Sequence, residues 1–327
     1  MGSAISADDV RDAAVVIRNF AVRTPLLEFA CLNDAAGRRV LVKFEGLQRM
    51  GSFKFRGAFN RLSRLGATER KAGVVAWSSG NHAQGVAAAS RLLGIHAAIV
   101  MPSDAPRIKL ANTRSQGAEI VTYDRRTESR EEIARQLSDR RGAVLVPSFD
   151  DPFIIAGQGT VGLELLQQAT DIGAKVSQIL VPCGGGGLIS GIATIVKDID
   201  RRVAVLSVEP AAFDDTLRSL ASGEREAVAT GGQSICDALL APTPGALTFP
   251  INRRLVSGGL AVTDARVMEA MRFAFEKLKL VVEPGGAVAL AAVLSRIAPP
   301  TAHATAIVVS GGNVDPDFFA NVIQNGR

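Results

Sequence analysis

The stretch "GVVAWSSGNHAQGVAAASRLLGIHAAIVMP" runs from residue 73 to residue 102, and its reading decides the fold. GVVAW (73–77) is a short, continuously apolar run of strand length. HAQGVAAASRLLG (82–94) reads as a helix stopped by Gly94. HAAIVMP (96–102) is a strand again. A strand, a helix and a second strand in so short a span make a βαβ unit, and continuously apolar strands are those covered on both faces. The expectation is an α/β protein with parallel-rich, twisted sheets flanked by helices.

Outward from this unit the alternation continues. RRVLVKFE (38–45) reads as a strand, and the segment from Phe53 to Gly66 as a helix. The run 106–117 opens with proline and closes with glycine, as helices do. AEIVTY (118–123) is a strand, 128–142 a charged exposed helix, and AVLVP (143–147) a strand, with a glycine-bearing helix from about Gly157. SQILVP (177–182), VAVLSVE (203–209) and TAIVVS (305–310) complete the predicted strands. Residues 219–234 are the only long loop-like region. The N-terminus reads as a helix start, with Ser6 as N-cap and Asp9 three residues on; MGSAIS also fits a myristoylation pattern, but the helix start is the reading preferred here.

The 327 residues suffice for two domains or one large α/β domain, and an apolar fraction of 47% excludes a disordered chain. The net charge is +5, but the arginine pairs are scattered and only 5% of residues are aromatic. A nucleic-acid partner is therefore not expected, whereas a small anionic substrate is compatible. The cysteines, Cys31, Cys183 and Cys236, are odd in number and far apart, so neither a disulfide framework nor a metal spacing appears. No secretory leader and no apolar run of about 18 residues is present, which argues against a membrane partner and makes the cytoplasm the default location.

In parallel sheets the site lies at the carboxyl ends of the strands, which directs attention to the loops after Trp77, Pro182, Val208 and Val309. WSSGNHAQG (77–85) crowds Ser78, Ser79, Gly80 and Asn81 before a helix, where free amides receive an anion. PCGGGGLISG (182–191) carries Gly184, Gly185, Gly186 and Gly187 from a strand into a helix. That is bare backbone suited to a phosphate, with neither a Walker lysine nor a dinucleotide fingerprint. SVEPAAFDD (207–215) sets Glu209 and Asp215 about a turn, fit either for a hard cation together with the Phe213 carbonyl or for capping a helix. VVSGGNVD (308–315) places Ser310 at a strand end beside two glycines. Finally, Lys54 stands between Phe53 and Phe55. A lysine in apolar company loses part of its affinity for a proton and can act as nucleophile or base. One amine and one phosphate cradle, with no nucleotide fingerprint, point to pyridoxal phosphate.

At these residues the chain resembles the threonine dehydratase and serine racemase group of pyridoxal-phosphate enzymes, of the tryptophan-synthase-β fold type (fold type II). The matching stretches are KFEGLQRMGSFKFRGA, SSGNHAQG, IIAGQGTVGLEL, CGGGGLISG, KLKLVVEPGGAVALAAVL and SGGNVD, in family order from about residue 40 to 315. The resemblance implies two domains, a large one of residues 1–65 and 152–327 and a small one inserted at 66–151, with the cofactor between them. It implies that Lys54 forms the Schiff base and that Phe53, Asn81 and Glu283 lie against the cofactor. Gly184 to Gly187 would hold its phosphate, and Ser310 would bond the ring nitrogen. Ser79 would act on the opposite face, and Ser78, Gly80, Asn81 and His82 would surround the substrate carboxylate. Glu209, Phe213 and Asp215 match the divalent-cation site of that branch, for Mg2+ or Ca2+. Arg130, in TESRE, reads first as a residue of an exposed helix and second as the arginine that, by the resemblance, can meet a second carboxylate, while VPSFDDP looks instead like catabolic threonine dehydratases. Gly46 departs from the family, which usually has asparagine there.

The expected activity is dehydration of an L-β-hydroxy amino acid, serine or threonine, to a 2-oxo acid and ammonia. Serine racemase, threo-3-hydroxyaspartate dehydratase and a non-catalytic ligand-binding relative are the alternatives. A homodimer is expected by analogy.

Overall fold

The N-terminal helix, Ala7–Ile17, begins as its sequence requires: Ser6 Oγ accepts the Asp9 amide, and the Asp9 carboxylate takes the Ser6 N–H at 2.7 Å. The computed structural model describes residues 3–78, 80–105 and 107–324, with the backbone alone at 107–109.

Among the described residues ten strands form two sheets. The strands are β1 (Leu26–Glu28), β2 (Val40–Phe44), β3 (Val74–Trp77), β4 (Ala97–Pro102), β5 (Glu119–Tyr123), β6 (Val144–Leu145), β7 (Val176–Pro182), β8 (Ala204–Pro210), β9 (Gly258–Val262) and β10 (Ala304–Val309). One sheet has the order β1-β2-β10-β7-β8-β9 and the other β5-β4-β3-β6. Every pairing is parallel except β1 with β2. All residues of β2, β4 and β10 are buried, Lys43 and Thr305 included, as expected of central strands covered on both faces.

β1 and β9 were not expected. β1 has three residues and β9 opens with two glycines, so neither carries the apolar run that marks a strand. The helix expected from about Gly157 starts at Pro152, capped by Asp151, whose carboxylate accepts the Phe153 and Ile154 amides. The loop-like region also shortens: its first residues belong to the helix Asp215–Ser222.

Three helices, Lys54–Ser63, Pro152–Asp171 and Gly187–Ile199, cross at glycines. A Cβ on Gly157 would stand 2.6 Å from the Gly57 Cα, and one on Gly191 2.6 Å from the Gly159 nitrogen. Helix Pro284–Leu294 is buried along nearly its whole length beneath the six-stranded sheet.

Candidate active site

The carboxyl ends of β3, β7 and β10 converge, with the start of the Lys54 helix, on a cavity of about 450 Å³. Three backbone contacts stitch the approach to Lys54 onto the exit of β10: Phe53 N–H donates to Ser310 O at 3.2 Å, Gly312 N–H to Gly51 O at 2.9 Å, and Ser52 bridges Gly311. Lys54 Nζ donates to the Ser148 carbonyl at 2.9 Å and lies 5.2 Å from the centre of the Phe53 ring. Burial, opposed by the nearby Glu283 carboxylate, lowers its pKa from 10.5 to about 8.

On the same cavity, the helix Asn81–Leu93 presents its N-terminus. Asn81 Nδ2 donates to Glu283 Oε1 at 2.6 Å, and Asn313 Nδ2 donates to Asn81 Oδ1 at 2.8 Å and to the Met50 carbonyl at 2.6 Å. His82 Nε2 lies 2.8 Å from the Val146 carbonyl, which can only accept, so this nitrogen carries the proton. Nδ1 is then a bare acceptor, buried and without a hydrogen-bond partner among the described residues. Burial and the neighbouring Lys54 charge push the imidazole down to about 3. Ser78 and Gly80 line the cavity, with Gly80 N–H donating to Ser78 Oγ at 3.1 Å. Ser79 lies outside the described residues.

Gly184 to Gly187 lead from β7 into the helix Gly187–Ile199, whose first amides have no intrahelical acceptor. The space behind these glycines is filled. A Cβ on Gly185 would strike the Phe149 ring, and one on Gly184 would meet the Leu239 Cα at 3.1 Å. Gly186 has φ +92°, and its Cβ would meet Asn252 Nδ2 at 2.8 Å. The loop therefore offers amides and helix dipole to an anion with no side chain in the way. Ser310 is buried at the end of β10 and also lines the cavity. An amine of lowered basicity and an anion cradle on one cavity fit pyridoxal phosphate.

Arg130 lies at the exposed rim, its Nε donating to Glu131 Oε1 at 2.7 Å. The Glu209 group is separate from the residues that line the cavity. Glu209 caps the helix Asp215–Ser222 through both oxygens, which accept the Thr216 and Leu217 amides at 2.9 and 2.8 Å. Burial and Asp215 nevertheless push its carboxyl up to about 8, and burial pushes Asp215 up to about 7. Asp215 Oδ2 is buried with no partner among the described residues. Gly46 leaves room that the Phe44 ring fills: a Cβ there would stand 2.5 Å from the ring.

Several contributors were not anticipated. Ser148 follows β6, a strand end to which the carboxyl-end rule applies equally. Asn313 lies inside the SGGNVD stretch, three residues after Ser310. The packing of Phe149, Asn252 and Val146 left no local mark in the sequence.

Residues 17–311 match the family described as Pyridoxal-phosphate dependent enzyme. The chain belongs to that family and has its fold. It is 44% identical, over 98% of each chain, to an L-threo-3-hydroxyaspartate ammonia-lyase of a Pseudomonas species. It is 39% identical to an L-threonine ammonia-lyase of Thermotoga maritima, over 98% of this chain and 79% of that one. Maize serine racemase superposes with a TM-score of 0.92 at 38% identity, covering 97% of this chain and 96% of the other.

Proposed function

We propose that this enzyme is an ammonia-lyase that removes water from an L-β-hydroxy amino acid and releases a 2-oxo acid and ammonia. The observation that carries the reading is Lys54, an amine brought to about 8 by burial and held in one cavity with the glycine cradle. Bound pyridoxal phosphate supplies a carbonyl that condenses with amines and a ring that takes up the electrons left when an α-proton departs.

The chain does the rest. Gly184 to Gly187 hold the phosphate. Phe53, Asn81 and Glu283, which line the cavity, would lie against the ring, and Ser310 would offer its nitrogen a neutral hydroxyl. The Lys54 amine would accept the α-proton of the substrate, a task suited to a pKa near neutrality. The substrate carboxylate meets the N-terminus of the helix Asn81–Leu93, with Ser78, Gly80, Asn81 and His82 around it. His82 stays uncharged: its backbone amide in the first turn can donate to the carboxylate, while the bare Nδ1 can only accept, from a donor group of the substrate. Arg130 at the rim would meet a second carboxylate, and the 44% identical relative, an L-threo-3-hydroxyaspartate ammonia-lyase, supports that substrate. The four-stranded sheet within 66–151 acts as a small domain on the larger remainder.

Glu209, Asp215 and the Phe213 carbonyl form a site for Mg2+ or Ca2+. Two adjacent buried carboxylates, one with an unpartnered oxygen, are stabilised by a divalent cation.

The test is release of 2-oxo acid by the pyridoxal-loaded protein from L-serine, L-threonine, D-serine and L-threo-3-hydroxyaspartate, with magnesium or with chelator. Product from an L-β-hydroxy amino acid is expected, abolished in Lys54→Ala, with magnesium raising the melting temperature. Interconversion of serine enantiomers without oxo acid would replace the lyase reading with racemisation. Activity surviving in Lys54→Ala would remove Lys54 from its role.

A further inference from the structure

We propose that Arg225 is a specificity-determining residue of this site, biasing it toward a β-hydroxy amino acid that carries a second carboxylate. The inference rests on the reading of the cavity as a hydroxy amino acid site.

Arg225 belongs to the irregular stretch between the helix Asp215–Ser222 and the 3-10 turn Asp237–Leu239, far in sequence from Arg130, yet both line the cavity. The stretch is pinned rather than loose. Arg253 donates to the Gly223 carbonyl at 3.0 Å, the Glu226 amide to Ser219 Oγ at 2.8 Å, and Arg218 to the Glu226 carboxylate at 2.7 Å. Val228 N–H donates to the Pro242 carbonyl at 2.9 Å. Arg225 itself donates from Nε to the Pro244 carbonyl at 2.8 Å. Arg225 is exposed, and that bond anchors its Nε while Nη1 and Nη2 have no partner among the described residues. A planar fork anchored at Nε, with both Nη groups free, matches a carboxylate bidentately.

The carboxylates on the cavity wall are committed, so none of them occupies the Arg225 fork. Glu131 is held by Arg130, and Asp150 accepts the Ala246 and Leu247 amides at 2.9 and 2.8 Å. Glu283 accepts from Asn81, and Asp237 is not free either. Arg225 is thus a cation of the wall with donors to spare for substrate. The methyl group of threonine cannot use them, whereas the second carboxylate of 3-hydroxyaspartate can.

The experiment has two readouts on the holoenzyme. The first is the ratio of kcat/KM for L-threo-3-hydroxyaspartate to that for L-serine. Arg225→Ala should lower this ratio about tenfold, chiefly through KM for the dicarboxylate, and Arg225→Lys should restore part of it. The second is binding of succinate against butyrate, followed by fluorescence of Trp77, the single tryptophan, which lines the cavity. Succinate should bind the wild type more tightly than butyrate, and Arg225→Ala should erase the difference. An unchanged ratio, an equal loss for both substrates, or equal binding of the two acids by the wild type would overturn the assignment. If no hydroxy amino acid is turned over but the succinate preference persists and needs Arg225, the reaction reading fails and Arg225 stands.

Discussion

His82 shows what a single residue in this cavity costs. Its Nε2–H is committed to the Val146 carbonyl, and burial beside Lys54 drives its pKa from 6.5 to about 3. The folded chain therefore keeps His82 neutral while the unfolded chain protonates it below about 6.5. The unfolded state binds more protons between these values, so stability is full above pH 6.5 and is lost as pH falls toward 3. His82→Gln should flatten this acid limb by on the order of 4 kcal/mol, read as the wild-type-minus-variant difference in urea unfolding across pH 3–7. Equal slopes would mean that the imidazole charges in the fold. At this scale the sequence was readable where chemistry is local. Lys54 between aromatics, the four glycines and the polar turn before Asn81 each break a statistical habit of ordinary helices and turns. Ser148, Asn313 and Arg225 break none. Ser148 meets Lys54 across 94 residues and Asn313 meets Asn81 across 232, distances over which composition carries no trace.

At the scale of elements, glycine positions record how closely helices approach. Gly157, Gly159 and Gly162 lower the intrinsic helix propensity of Pro152–Asp171, yet the helix is continuous because its neighbours need backbone contact there. A Cβ on Gly191 would strike the Ile155 carbonyl oxygen and stand 2.6 Å from the Gly159 nitrogen. Backbone cannot rotate aside as a side chain can. Gly191→Ala should cost about 3 kcal/mol despite its better helix propensity, measured by the shift in the urea midpoint. A stabilised variant would show that the two helices separate freely. The same logic explains what was legible. Long apolar runs announced eight of the ten strands, whereas β1 and β9 owe their existence to a neighbour already in place.

For the molecule as a whole, no local signal encodes which strands become neighbours. β2 and β10 pair centrally although more than half the chain lies between them. Beside them sits a buried ionic cluster that joins distant parts of the chain. Arg56 donates to Glu45 at 2.8 Å and to Glu164 at 2.7 Å, and Lys43 donates to Glu164 at 2.7 Å. Arg56, Lys43 and Glu45 are fully buried. Two cations balance two carboxylates, and Thr24 Oγ1 donates to Glu45 as well. The cluster ties the N-terminal segment, β2, the Lys54 helix and the helix Pro152–Asp171 into one body, and Arg56 stands two residues from Lys54. Burying four charges is not in itself a gain, because their desolvation offsets much of the attraction; the penalty appears when the balance is broken. Arg56→Met should therefore cost about 3–5 kcal/mol, since it leaves Glu45 buried without a cation. The double variant Arg56→Met/Glu45→Leu retains the Lys43–Glu164 pair and neutral balance, so it should be more stable than Arg56→Met alone. Urea unfolding of the wild type, both single variants and the double variant closes the cycle. A double variant that loses the sum of the single losses would show that the charges act independently, and that the cluster is four separate contacts instead of one balanced unit.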